Sequence, residues 1–217
     1  CGGGTLDSAV AELAHMRRNN SSRGHGKGHT TMQQKMLWAY LCANALGYLH
    51  SQSPPLVHRD LKPQNVLVMN DPGRTCKLSD FGVSRSIKTP LVPGEKGSSS
   101  QLSTRVVTVA YMPPVCLRTL GLTEAVNNQT TADIVSGEKW DVYSLAVVLS
   151  FLLSEQHPYS GQRDAELVHG VVEDGLRPET AGMEPRLAAL VSRMWSAEPA
   201  DRPSAANVAR AFADGVT

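Results

Sequence analysis

Apolar residues at helical spacing open the chain: Leu6, Val10, Leu13 and Ala14 share one face of a helix predicted over Leu6 to Met16. Gly, Ser, His and Asn then dominate to Thr31, which predicts an insertion over residues 17–31. A second helix is predicted from Met32 to His50, where Leu37, Leu41, Ala45, Tyr48 and Leu49 recur on overlapping turns and Pro54-Pro55 follows its end. After Val57 the pattern changes. Val66 to Met69 and Thr75 to Ser79 read as short strands, and Asn70-Asp71-Pro72-Gly73 between them is turn chemistry. Residues 84–105 are serine-rich with little apolar periodicity, and residues 117–138 form another irregular stretch. Helices are then predicted over Trp140 to Leu153, Arg163 to Glu173 and Arg186 to Trp195. In the last, Leu187, Leu190, Val191, Met194 and Trp195 make a stripe at i, i+3, i+4, i+7 and i+8. Ser204 is placed to cap a final helix reaching Ala213.

Composition sets limits on this pattern. At 217 residues and 41% apolar content, the chain fits one domain or one large lobe with a real core. Its longest nearly apolar run, Val142 to Leu153, is broken by Ser144 and Ser150 and falls short of the roughly 20 residues that cross a bilayer. No membrane segment is expected in this chain, although a longer protein containing it could be membrane-attached. A net charge of +1 gives no general attraction to nucleic acid, despite local Arg17, Arg18, Arg23, Lys27 and Lys35. Cysteines at 1, 42, 76 and 116 form no close pair in sequence and no metal-ligand spacing, so reduced thiols and a cytoplasmic (intracellular) location are expected. Cys1 is neither a start residue nor part of a leader, so a fragment or processed piece is expected. Gly24-His25-Gly26-Lys27-Gly28 lacks the preceding strand that a phosphate-binding loop requires.

The chemistry is concentrated in two runs, His58-Arg59-Asp60-Leu61-Lys62-Pro63-Gln64-Asn65 and Asp80-Phe81-Gly82. They resemble the catalytic and metal-binding loops of eukaryotic protein kinases. Thr108-Val109-Ala110-Tyr111-Met112-Pro113-Pro114 resembles the segment closing a kinase activation loop, and Trp140-Asp141-Val142-Tyr143-Ser144 the start of the buried central helix. Gly175-Leu176-Arg177-Pro178 and Asp201-Arg202-Pro203-Ser204 look like late landmarks of tyrosine-kinase-like (TKL) serine/threonine kinases, and Gly2-Gly3-Gly4-Thr5-Leu6 is similar to residues just after the hinge between lobes. The resemblance implies a mainly α fold: a protein-kinase-like C-terminal lobe, a helical bundle with small β-hairpins at the catalytic cleft. The N-terminal lobe, with its glycine-rich loop and strand lysine, is expected to be absent, with residues 84–105 as the activation loop.

By the same resemblance the reaction is transfer of the ATP γ-phosphate to protein Ser/Thr hydroxyls, with ATP and Mg2+ as cofactors. Phosphoryl transfer asks mainly for positioning and charge neutralisation. Asp60 is the expected base, Lys62 the contact to the transferring phosphate, Asn65 and Asp80 the oxygen ligands for Mg2+, and Leu67 the floor of the adenine pocket. Lys62 together with Thr108 is similar to the serine/threonine pattern. Arg59 is the expected receptor for an activation-loop phosphate, with Ser84, Ser86, Thr89, Ser98, Ser99, Ser100, Ser103 and Thr104 as acceptors. His58 and Phe81, the latter followed by Gly82, are expected in a hydrophobic column, and Asp141 on catalytic-loop amides. The partners implied are a protein substrate and the missing N-lobe, without which the isolated chain is expected to be inactive. One departure stands out: Pro113-Pro114-Val115 has Val115 where the family has the glutamate that pairs with the arginine matching Arg202. That loss, together with the absent N-lobe, favours the alternatives: a pseudokinase or scaffold lobe, or a non-functional truncated product. Arg202 is then expected either to have a replacement partner or to weaken the lobe.

Overall fold

The computed structural model describes residues 3–20, 32–80, 85–86, 109–119 and 137–215. Helix α1 spans Leu6–Asn20 and buries Leu6, Val10 and Leu13. It runs past Met16 into the stretch expected to open an insertion. Helix α2 spans Met32–His50, with the predicted bounds but not the predicted face. Met36, Trp38, Ala39, Cys42, Ala43 and Leu46 are buried, whereas Leu37 and Tyr48 are exposed. Apolar residues surround this helix, and periodicity then identifies a helix without fixing which side faces the core.

Four short strands follow: β1 (Leu56–Val57), β2 (Val66–Val68), β3 (Cys76–Leu78) and β4 (Arg85–Ser86). They form two antiparallel pairs, β1 with β4 and β2 with β3. The second is the expected hairpin, in register Val66 to Leu78. At its turn Asp71 accepts hydrogen bonds from the Thr75 amide, at 3.0 Å, and from the Thr75 hydroxyl, which hold its carboxyl below the ordinary carboxylate range. The Trp38 indole of α2 donates to the Arg74 carbonyl and clamps this turn to the helix. Residues near the start of the chain extend the hairpin: the Val68 amide donates to Gly4 O at 2.9 Å, and Thr5 bridges to Leu67. A Cβ at Gly3 would lie 1.7 Å from Val68 O, so only glycine fits that approach.

Helices α3 (Pro114–Thr119), α4 (Gly137–Ser154), α5 (Asp164–Val172), α6 (Pro185–Met194) and α7 (Ala205–Ala213) complete the described chain. Helices α3 and α4 take in both ends of the stretch expected to be irregular over 117–138. Helix α4 is buried at every position from Trp140 to Leu152, which makes it the axis around which the described helices pack. Helices α2 and α6 lie against α4, and α7 covers α2. The α6 stripe read from sequence buries Leu187, Val191, Met194 and Trp195, and Glu184 caps its start by accepting from the Arg186 and Leu187 amides. Ser204 caps α7 through the Asn207 amide at 3.2 Å.

Two long-range contacts in this core were not legible in sequence. Lys35 of α2 donates to Glu155 Oε1 at 2.8 Å and to Leu153 O at 3.2 Å, in an almost fully buried pair that ties α2 to the end of α4. Cys42 and Cys76 are 34 positions apart and both free, but packing of the hairpin on α2 brings their Sγ atoms to 3.8 Å. No helix among the described residues is long and apolar enough to cross a membrane.

Candidate active site

The loop between β1 and β2 has no regular structure of its own until the short 3-10 turn Pro63–Asn65. Its geometry comes from α4. Asp141, fully buried near the start of that helix, accepts from the His58 amide through Oδ2 and from the Arg59 amide through Oδ1, both at 2.8 Å. His50, the last residue of α2, closes on the same Oδ2 at 2.8 Å. Arg59 is thereby held at φ 67, in the left-handed region, at a strain of about 1–2 kcal/mol. Two backbone donors on one fully buried carboxylate are a strong enough anchor to hold it there.

The chain turns at Arg59 and presents Asp60. Its Oδ2 receives Lys62 Nζ at 2.8 Å and Asn65 Nδ2 at 3.0 Å, and its carbonyl also accepts from Asn65 Nδ2 at 2.7 Å. With the amide nitrogen committed to Asp60, Asn65 Oδ1 is the oxygen turned away from that carboxylate. The hairpin register, extended one residue, sets Asn65 opposite Ser79, and the Ser79 amide donates to Asn65 O at 2.9 Å. Asp80 follows at φ 59, again left-handed, with its side chain exposed. His58 locks the two loops together: its Nδ1 accepts from the Asp60 amide at 3.4 Å, which leaves Nε2 as the donor to Ser79 O at 3.0 Å.

A carboxylate, an adjacent cation and two oxygen donors on neighbouring loops form the arrangement, and comparison with known proteins gives the family. A family model described as protein kinase domain matches residues 9–211. The chain belongs to the protein kinase family. Its relatives include mitogen-activated protein kinase kinase kinase 7 of Drosophila melanogaster, 32% identical over 188 residues, and serine/threonine-protein kinase CTR1 of Arabidopsis thaliana, 34% identical over 177. These alignments cover 86% and 81% of this chain but 24% and 19% of those proteins. Serine/threonine-protein kinase mos of Patiria pectinifera is 35% identical over 168 residues, 76% of this chain and 42% of that protein. The kinase resembles the TKL serine/threonine group, and protein kinase domains as a class use ATP and a divalent metal.

Within this kinase fold, Asp60, Lys62, Asn65, His58, Arg59 and Asp141 converge on one loop, and Leu67 lies on β2 beneath the Thr5 bridge. Phe81, Gly82 and Thr108 lie outside the described residues. Tyr111, from the segment matching the end of an activation loop, is fixed to α4 by Ser144 Oγ donating to its carbonyl at 2.8 Å. Arg202 is 1% exposed and has its replacement partners. Its guanidinium donates to Ser196 O at 2.9 Å, Lys139 O at 3.0 Å and Ala197 O at 3.3 Å, while its own carbonyl accepts from Lys139 Nζ. It also lies 5.1 Å from the Tyr143 ring, which Arg177 approaches at 5.3 Å. Burial lowers the Arg202 pKa to about 10. Sequence reasoning missed His50, which joins α2 to Asp141 of α4, and Ser79, which joins the β1–β2 loop to the end of β3, because each contact spans twenty positions or more.

Proposed function

We propose that this chain is the C-terminal lobe of a TKL-like serine/threonine protein kinase, built to transfer the ATP γ-phosphate to a protein hydroxyl. The observation that carries this reading is Asp60, held by Asn65 and Lys62 on a loop suspended from Asp141, with Asp80 on the adjoining strand end. Asp60 orients the substrate hydroxyl and accepts its proton, a role worth about 10²–10⁴ in rate. Lys62, now on Asp60, is close enough to follow the phosphate as charge develops. Asn65 and Asp80 fit a hard cation: two oxygen donors, one neutral and one anionic, suit Mg2+, which keeps water and phosphate for its other positions. When bound, the metal neutralises phosphate charge. Leu67 lines the adenine side, and Arg59 receives an activation-loop phosphate.

An ATP-clamping N-terminal lobe is required for turnover in this reading, and the protein is intracellular. The test is phosphate transfer from ATP to a serine/threonine protein substrate by this chain fused behind the N-lobe of a relative. Asp60→Asn is expected to reduce transfer by about 10²–10⁴, and transfer undiminished in that variant refutes the assignment. The chain alone is expected to be inactive, so Asp60-dependent transfer without the fusion refutes the need for an N-lobe. A second reading, a scaffold lobe that binds protein partners, draws on Val115 and on the expected absence of an N-lobe; an inactive fusion whose partner capture survives Asp60→Asn would favour it.

A further inference from the structure

The phosphate-transfer site leaves one pair of nucleophiles unused. Cys42 of α2 and Cys76 of β3 are both free thiols, buried at 2% and 8% exposure, with their sulfurs in contact at 3.8 Å. A disulfide bond is about 2.04 Å long, so closure needs the sulfurs to approach by about 1.8 Å.

We propose that Cys42 and Cys76 form a modification site at which a peroxide-class oxidant closes a disulfide between α2 and β3. Cys76 reacts first, because it is the less buried of the two and sits on a short strand, whereas Cys42 lies in the core helix. Its thiolate takes one oxygen from hydrogen peroxide to become a sulfenic acid, and hydroxide leaves. The Cys42 sulfur then attacks the Cys76 sulfur; the S–S bond forms, the S–O bond breaks, and hydroxide departs to be protonated. Two thiols and one peroxide thus give one disulfide and two waters. The neighbouring Cys76 sulfur and then burial push the Cys42 thiol up, so the reaction is slow at neutral pH and accelerates in alkali.

The cross-link bears on the site because β3 ends at Leu78, two residues before Asp80, and the Ser79 amide is bonded to Asn65 O. Drawing Cys76 toward α2 moves the strand end that carries Asp80. That consequence rests on the proposed function; the cross-link does not.

The test is treatment of the full chain with millimolar hydrogen peroxide at neutral and mildly alkaline pH, followed by thiol titration and peptide mapping without reductant. Loss of two of the four thiols is expected, with the Cys42 peptide joined to the Cys76 peptide. The linkage is expected to form faster in alkali, to be reversed by dithiothreitol and to be absent in Cys76→Ser. A folded chain that keeps its thiols while the urea-unfolded chain oxidises overturns the proposal, as does Cys42 linked equally often to Cys1 or Cys116. In the fusion described above, oxidation is expected to weaken Mg2+ binding in the parent and not in Cys76→Ser. A verified cross-link with unchanged Mg2+ binding overturns the coupling to Asp80. A reduced fusion that never binds Mg2+ counts against the proposed function instead.

Discussion

Replacing Arg202 with methionine tests whether a buried guanidinium with carbonyl partners stabilises this kinase fold. Burial lowers its pKa well below the ordinary guanidinium value, to about 10, which corresponds to about 3 kcal/mol against the charged form. Opposing that penalty are three carbonyl hydrogen bonds, each about 1.5–3 kcal/mol for a charged donor. The Tyr143 face adds about 1–2 kcal/mol. Attraction exceeds the penalty, and Arg202→Met relieves the charge while leaving three carbonyls without this donor. A loss of about 2–5 kcal/mol is expected. Arg202→Lys is expected to recover less than half of it, because an ammonium group lacks the planar fork that reaches several carbonyls at once. Urea unfolding at neutral pH, followed by tryptophan fluorescence and far-ultraviolet dichroism, reads both values. A loss below about 1 kcal/mol in Arg202→Met would refute the reasoning, since it would mean that water serves the carbonyls equally well.

Lys35→Met removes the ammonium that donates to Glu155 Oε1 and Leu153 O and is expected to cost about 1.5–3 kcal/mol in urea unfolding. The Lys35→Met/Glu155→Leu double variant should be more stable than that single variant, and a double variant no better refutes the pairing. Val115→Glu places a carboxylate where the family resemblance expects a partner for Arg202, and is expected to raise stability at neutral pH by about 1.5–3 kcal/mol, the worth of a charge-assisted hydrogen bond. A carboxyl beside a cation has its folded pKa below its unfolded one, so this gain is present above about pH 4.3 and fades as pH falls. A gain that persists in acid would have another origin. Asp71 is held below its ordinary 3.8 by Thr75. Its stabilisation is therefore present above 3.8 and lost as pH falls through the folded value. Unfolding midpoints of the parent and Asp71→Asn should converge in acid, and parallel curves across that range would disprove the linkage.

Elements with strong local signals were legible before the structure was seen. The α6 stripe from Leu187 to Trp195, the Ser204 cap and the turn at Asn70 to Gly73 each depend on residues a few positions apart. The orientation of α2 was not legible, because Leu37 and Tyr48 are as apolar as Trp38 and Leu46, and only packing against α4 and α7 decides between them. Much the same division holds at the site. Asp60, Lys62, Asn65 and Asp80 were expected from the family resemblance of their two motifs, as were the Asp141 amide contacts. His50, the Lys35–Glu155 pair and the Cys42–Cys76 contact carry no local pattern. Arg202 shows the limit from the other side: Val115 announced a missing partner, but the carbonyls that replace it belong to backbone and have no residue code.

The attachment of the His58 and Arg59 amides to Asp141 has an architectural consequence. A loop that borrows its shape from the innermost helix has no independent hinge, so its left-handed turn at Arg59 persists only as long as the surrounding bundle does. The reactive geometry and the integrity of the lobe are therefore a single property. Changes that loosen α4, however far from Asp60, will be felt at Asp60 as misalignment, and transplanting the loop without that helix would transplant a sequence rather than a shape.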